Sequence, residues 1–188
     1  HWASLGNEGW SFDDVLPVFK RCEHYEPGES EFHGTHGKLN IADLRFNHPV
    51  SRAFVEAGIQ AGHPATDDFN NAVQEGMGMY KVNQKDGERW SAARAYVEPK
   101  RGSKNLDVRI GVSVQRLVIK DGRVTGVTYS VGDKERTVTA RGAVVLSAGA
   151  FNTPQLLMLS GIGPGAHIKE HGIDVVLDKP AVGADLQD

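Results

Sequence analysis

The sequence predicts a mixed α/β fold, α+β in its ordering, on three observations. Apolar residues at helical spacing behind capping signals mark helices in the first sixty residues. Period-two alternation, broken by hairpin dipeptides, marks a β-meander between Asn105 and Ala140. A β-branched apolar run, Val144-Val145-Leu146, ends in the small residues Ser147, Ala148 and Gly149 immediately before a further helical stretch.

Taken in order, Ser11 and Asp14 have the spacing of a capping box, and Val15, Phe19 and Cys22 then fall near one helix face. Pro17 interrupts this pattern, because it lacks a backbone donor, so a kink or a later start is expected. A second helix is predicted over 49–61, with Pro49 in its first turn, Phe54, Ala57 and Ala61 facing inward, and Gly62 closing it. Residues 25–48 and 63–90 are rich in Gly, Asn, Asp and His and read as long functional loops.

From Asn105 the period becomes two. Leu106, Val108, Ile110, Val112 and Val114 alternate with polar or small residues, and the strand continues through Leu117 to Ile119 as far as Asp121-Gly122, a hairpin signal. Val124 to Val131 forms the next strand, Gly132-Asp133 the next turn, Arg136 to Ala140 a third strand and Ala143 to Ser147 a buried one. Asn152 or Thr153 then caps a helix with Pro154 in its first turn and Leu156, Leu157, Met158 and Leu159 as its apolar body. No internal repeat or low-complexity tract interrupts the chain.

Composition excludes several classes. The chain has 188 residues, 39% of them hydrophobic, enough for one or two small cores. A net charge of -3 with no Lys/Arg block argues against a nucleic-acid partner. The single cysteine, Cys22, cannot form an internal disulfide, and its spacing from Val15, Val18 and Phe19 makes it a small buried hydrophobe. No apolar run approaches the roughly 20 residues of a membrane helix, and no secretory signal opens the sequence. The expected location is the cytoplasm or the periphery of the inner membrane.

Chemistry concentrates in Gly142 to Gly163, GAVVLSAGAFNTPQLLMLSGIG, a strand-turn-helix unit of the kind that offers backbone N–H groups to phosphate. A second glycine cluster, Gly161-Ile-Gly163-Pro-Gly165-Ala166, formally fits G-x-G-x-x-A. It follows a helix instead of a strand, and Pro164 removes a donor, so it reads as a helix stop and a new start.

His33 and His36 form an H-x-x-H pair near His24, without a third ligand at familiar spacing, so no metal site is expected. His48 and His63 sit beside prolines and read as solvated; His167 and His171 read as surface groups. Arg89 and Arg94 could position a ligand, although a structural salt bridge is the favoured reading. Trp10, Phe12 and Trp90 could wall a cavity, with core packing as the default.

The Gly149 to Gly163 segment, GAFNTPQLLMLSGIG, resembles the second signature of the glucose-methanol-choline oxidoreductases, FAD-dependent enzymes acting mostly on alcohols. Further blocks are similar in the same order: GNEGWSFDDVLPVFKRCE (6–23), FHGTHGKLN (32–40), KDGERWSAARAYVEP (85–99) and HGIDVVLDKPAVGADLQD (171–188). In FHGTHGK, Lys38 replaces the proline that relatives commonly carry.

The resemblance implies part of a Rossmann-like FAD-binding domain with a β-meander, plus part of a substrate-binding domain. Residues 1–100 would lie largely on the substrate side, 101–165 in the FAD-binding section, and 166–188 in a return segment. By motif position Val114 would use its main-chain N–H and C=O to hold the adenine, whereas spacing alone makes it a core residue of an alternating strand. Ser147, Ala148 and Gly149 would approach the FAD diphosphate and ribose, with Thr153 opening the adjoining helix; without the signature they read equally as a tight junction.

The implied reaction oxidises an alcohol of choline-like, aliphatic or polyol type to a carbonyl by hydride transfer to flavin, with oxygen, a quinone or another carrier as electron acceptor. The catalytic histidine and the strand-linked G-x-G-x-x-G are expected outside His1–Asp188, so the chain reads as an internal fragment, inactive alone. An FAD-containing lyase of the same fold and a non-catalytic truncated relic remain alternatives.

Overall fold

The computed structural model describes residues 1–187, and the chain folds as two compact units, His1–Leu106 and Asp107–Asp188. Asp188, the last residue of the return segment, lies outside the described residues.

In the first unit, helix α1 (Phe12–Cys22) starts where its capping box dictates. Ser11 Oγ accepts from the Asp14 N–H at 3.2 Å, while the Asp14 carboxylate accepts from the Ser11 N–H at 3.1 Å and from its hydroxyl at 2.6 Å. The hydroxyl bond, then the backbone bond, holds the Asp14 carboxyl below its ordinary range. Pro17 lies inside the helix and does not delay its start. Val15, Leu16 and Cys22 are half-buried, whereas Phe19 points outward, so Cys22 is less covered than its spacing predicts.

Strand β1 (Glu23–Tyr25) follows directly and pairs in parallel with β2 (Leu39–Ile41), Glu23 opposite Leu39. The loop between them folds back tightly onto the end of α1. Gly37 N–H donates to Glu23 O at 2.7 Å, Lys38 N–H to Cys22 O at 2.9 Å, and Tyr25 N–H to Gly34 O at 2.9 Å.

Helix α2 (Pro49–Gln60) has Pro49 at its first position, as expected, and His48 as its N-cap, with Nδ1 accepting from the Val50 N–H at 3.2 Å. Its inward face differs from the predicted one. Phe54, Ala57 and Ala61 are exposed; Val55 and Gly58 are half-buried, with Gly58 against the Met77 side chain. A glycine lets the loop approach the helix more closely than the alanines would, and that contact sets the face.

A short hairpin, β3 (Gln84–Lys85) with β4 (Glu88–Arg89), leads to a π-helical turn at Ala93–Val97 and a 3-10 turn at Glu98–Lys100. Ser91 Oγ accepts from the Arg94 N–H at 3.3 Å, the capping role its position predicts.

The second unit is built on an antiparallel sheet in the order β5 (Ser113–Lys120), β6 (Arg123–Val131), β7 (Lys134–Thr139). Lys120 faces Arg123 across Asp121-Gly122, whose φ values of 49° and 73° fit a type I′ turn. Val131 faces Lys134 across Gly132-Asp133. The meander therefore forms as predicted.

Its flanks do not. Residues 105–112 and 143–147 form no strand, and Ile110 and Val145 are 88% and 83% exposed. Alternation or β-branching states which side chains an extended segment would bury; a strand also needs a neighbour for its backbone, and among the described residues none pairs with either segment.

Helix α3 (Gly149–Leu159) packs on β5: Ser160, at its C-cap, accepts from the Leu117 N–H at 2.8 Å and donates to Leu156 O at 2.6 Å. Neither Asn152 nor Thr153 is its cap. The helix begins at Gly149 with Ala148 as N-cap, so Pro154 lies inside it. Beyond it, β8 (Ile162–Gly163) pairs in parallel with β9 (Leu177–Asp178) around α4 (Gly165–Glu170), whose Ile168 is fully buried. No helix of the described residues is long and apolar enough to cross a membrane.

Candidate functional site

The turn from Ser147 to Thr153 carries the geometry expected of a ligand-facing helix start. Ser147 and Ala148 are exposed at the end of the extended segment. Gly149 opens the helix at φ 88°, a left-handed conformation that costs any other residue about 1–2 kcal/mol. Thr153 Oγ1 reaches back to accept from the Ala148 N–H at 3.2 Å, fixing the turn from within.

Helix starts leave backbone donors without intrahelical partners and carry partial positive charge. No acidic side chain lies in the first turn of α3 to offset this. Nothing lies within 4 Å of the place a Cβ would occupy at Gly149, so the turn is open on that side. The other glycine-rich helix start differs. At α4 the Gly165 N–H is taken by Asp178 Oδ1 at 2.9 Å, and the Asp178 carboxylate fills the space beside Gly165. The G-x-G-x-x-A match is therefore a helix stop and start, occupied by the chain's own carboxylate.

Val114 lies on β5 opposite Tyr129. The register slips between Val114 and Arg116, leaving Gln115 as the extra residue of a bulge. The Val114 side chain is 44% exposed, so it is not the core residue that spacing alone predicts. Nearby, Arg109 pairs with Asp107 at 2.7 Å and donates to the Tyr129 hydroxyl. Ser147, Ala148, Gly149 and Thr153 thus share one turn, and Val114 shares their unit, on the strand against which α3 packs. An open helix start with no acidic side chain in its first turn is able to accept an anionic group.

The first unit holds a cluster that sequence reasoning missed. His33 is 5% exposed, with Nδ1 3.0 Å from Glu23 Oε1 and Nε2 2.8 Å from Asp68 Oδ2. Its ring stacks on Tyr25 at 3.8 Å. Burial, then the charges of Asp68, Asp43, Asp67 and Glu23, pushes the Tyr25 phenol up to about 12. Both His33 nitrogens of the H-x-x-H pair are engaged by carboxylates, and His36 is exposed. No signal in the sequence joins Asp68 to a residue 35 positions earlier. Among the described residues no group of three or more His, Cys, Asp or Glu is arranged to hold a metal.

Arg94 takes the structural role: it pairs with Glu88 and Glu98 and lies over the Trp90 ring at 5.7 Å. Arg89 is exposed on β4. Trp10 is exposed and meets Trp2 edge to face at 5.3 Å. Phe12, also exposed, helps line a cavity of about 340 Å³ with Leu16, Phe19, Phe32 and His33. These aromatics do not fill a core. His63, His167 and His171 are exposed, the last two edge to face at 4.7 Å.

A family model described as GMC oxidoreductase matches residues 1–188. The chain is 49% identical over 187 residues to an oxygen-dependent choline dehydrogenase of Rhizobium etli, and 45% identical over 188 residues to one of Brucella ovis. All of this chain and 34% of each relative are covered, so the chain spans about a third of their length. Among solved structures, pyridoxine 4-oxidase from Mesorbium loti matches with a TM-score of 0.82 at 33% identity, over 93% of this chain and 35% of that one. An FAD-dependent oxidoreductase from Chaetomium thermophilum matches with a TM-score of 0.87 at 26% identity, over 96% and 34%.

Proposed function

Because the chain belongs to the GMC oxidoreductase family, we propose that it forms part of an FAD-dependent oxidoreductase acting on CH–OH groups, with choline as the first substrate to test. The observation that carries this reading is full coverage of the chain, at 45–49% identity, by proteins named oxygen-dependent choline dehydrogenases. That name also makes oxygen the first electron acceptor to test, ahead of a quinone or another carrier.

In this reading residues 101–165 serve FAD, residues 1–100 lie largely on the substrate side, and 166–188 return toward it. Val114 would hold the adenine through its backbone, so an aliphatic side chain suffices there. Ser147, Ala148 and Gly149 would line the diphosphate and ribose, where small side chains permit close approach and the α3 N-terminus favours negative charge. Thr153 would preserve that turn through its bond to the Ala148 N–H. When bound, FAD would supply the hydride acceptor for oxidation of the alcohol carbon. None of this chain's residues is assigned the proton transfer; the catalytic histidine is placed outside it.

The test uses the intact protein that contains this chain, loaded with flavin and kept anaerobic. Addition of choline is expected to bleach the oxidised flavin in one step, and readmitted oxygen to restore it. Flavin that stays oxidised with choline and with aliphatic and polyol alcohols would overturn the oxidoreductase reading and favour the lyase.

A further inference from the structure

A recess in the first unit collects cationic groups around two aromatic rings. The cavity is about 360 Å³, within the range of small-molecule sites, and Lys38, Lys85, Trp90, Ala95 and Pro99 are among its lining. Lys85 Nζ lies over the Trp90 ring at 5.1 Å, and Lys38 Nζ over the Tyr96 ring at 5.8 Å. Trp90 is held in place by its Nε1–H, which donates to Lys38 O at 2.8 Å, and by Arg94 on its ring.

The lysines of this recess lack ion-pair partners among the described residues. Arg94 is already neutralised by Glu88 and Glu98. Asn40, a buried residue that also lines the recess, ties Glu26 to the wall by donating to its carboxylate at 2.7 Å. Lys38 and Lys85 have no ion-pair partner among the described residues, although the chain as a whole is acidic. In a chain with more Asp and Glu than Lys and Arg, two lysines that find only ring faces are poised for an anion brought by a ligand.

We propose that this recess binds a small organic anion, a carboxylate or phosphate monoester with a flat apolar body. The anionic group would sit between Lys38 and Lys85, and the body against Trp90, Ala95 and Pro99.

The experiment is isothermal titration of the intact flavin-loaded protein with benzoate and with phenyl phosphate, at ionic strength held constant with sodium chloride. Saturable binding of at least one is expected, and their relative affinity separates a carboxylate ligand from a phosphate one. The double variant K38Q/K85Q is expected to bind about tenfold or more weakly, and K38R/K85R, which keeps both charges, to bind within about threefold of the parent. Absence of saturable binding by both probes overturns the proposal. So does an affinity unchanged in K38Q/K85Q, which would place the probe elsewhere, including any alcohol site. The readout requires no turnover, so its failure is distinct from failure of the oxidoreductase reading.

Discussion

His33 Nε2 and Asp68 Oδ2 meet at 2.8 Å across 35 residues of chain, in a site where both side chains are nearly shielded from water. Glu23 Oε1 engages the other ring nitrogen at 3.0 Å and also accepts from the Gly34 N–H at 2.8 Å. Each ring nitrogen of His33 thus faces a carboxylate oxygen at hydrogen-bonding distance. The end of α1, the loop that follows it and the 66–70 loop are thereby tied at one ring.

Removing one carboxylate leaves a buried ring nitrogen without its hydrogen-bond partner, which costs about 1–3 kcal/mol. Asp68→Ala is expected to destabilise the first unit by about 1–3 kcal/mol. It should also abolish hydrogen-exchange protection at the Asn70 amide, which donates to Asp68 Oδ1 at 2.9 Å. An Asn70 amide as protected in the variant as in the parent would show that the pair does not organise the loop.

The phenol of Tyr25 supplies a pH test with a defined sign. Its ionisation is raised from 10 to about 12 in the folded protein, first by burial and then by nearby carboxylates. The neutral form is favoured on folding, so its contribution is fully present below pH 10 and is lost as pH rises from 10 through about 12. Comparing Tyr25→Phe with the parent in an absorbance titration should remove one phenol titrating near 12. A lost phenol that titrates near 10 would mean the site is wet.

The local elements were legible in the sequence because their causes are local. A capping box set the start of α1, a proline and a glycine bracketed α2, and Asp121-Gly122 fixed the first hairpin of the meander. What failed was whatever depended on a distant partner. Residues 105–112 and 143–147 have the pattern of strands and nothing to pair with among the described residues. Phe54 has helical spacing, but the close contact of Gly58 with Met77 decided which side of α2 turned inward. At the helix start, small residues announced Ser147 to Gly149, while the role of Thr153 in fixing that turn required the fold.

Ser160 joins α3 to the sheet edge. It is buried, accepting from the Leu117 N–H and donating to Leu156 O. Ser160→Ala strands a buried backbone donor, at a cost of about 1–3 kcal/mol. The expected signature is faster hydrogen exchange at the Leu117 amide with β6–β7 pairing intact; uniform loss across the sheet would instead mark Ser160 as a site of global unfolding.

Gly37 lies against the backbone where α1 gives way to β1, and a Cβ there would overlap the Cys22 carbonyl group and the Glu23 nitrogen. Backbone cannot swing aside as a flexible side chain can. Gly37→Ala is therefore expected to cost about 1–3 kcal/mol or more, and to weaken the Gly37 N–H bond to Glu23 O. Thermal unfolding of the intact protein unchanged within error would show that the loop relaxes freely.

The helix start at Gly149 allows ligand contact to be separated from folding. Within the chain an added Cβ meets nothing within 4 Å, so Gly149→Ala carries only the left-handed strain of about 1–2 kcal/mol. If the FAD diphosphate approaches this turn, the same methyl group meets the ligand, and flavin retention by the intact protein should fall by more than the roughly fivefold to thirtyfold that such strain alone could produce. Val114→Ala serves as the companion, because a backbone contact survives loss of the side chain; flavin retention should stay within about twofold. Thr153→Ala, which removes the acceptor for the Ala148 N–H, should fall between the two. Flavin held equally well by Gly149→Ala and the parent would remove this turn from the cofactor site, and flavin lost in Val114→Ala would replace the backbone contact there with a side-chain one.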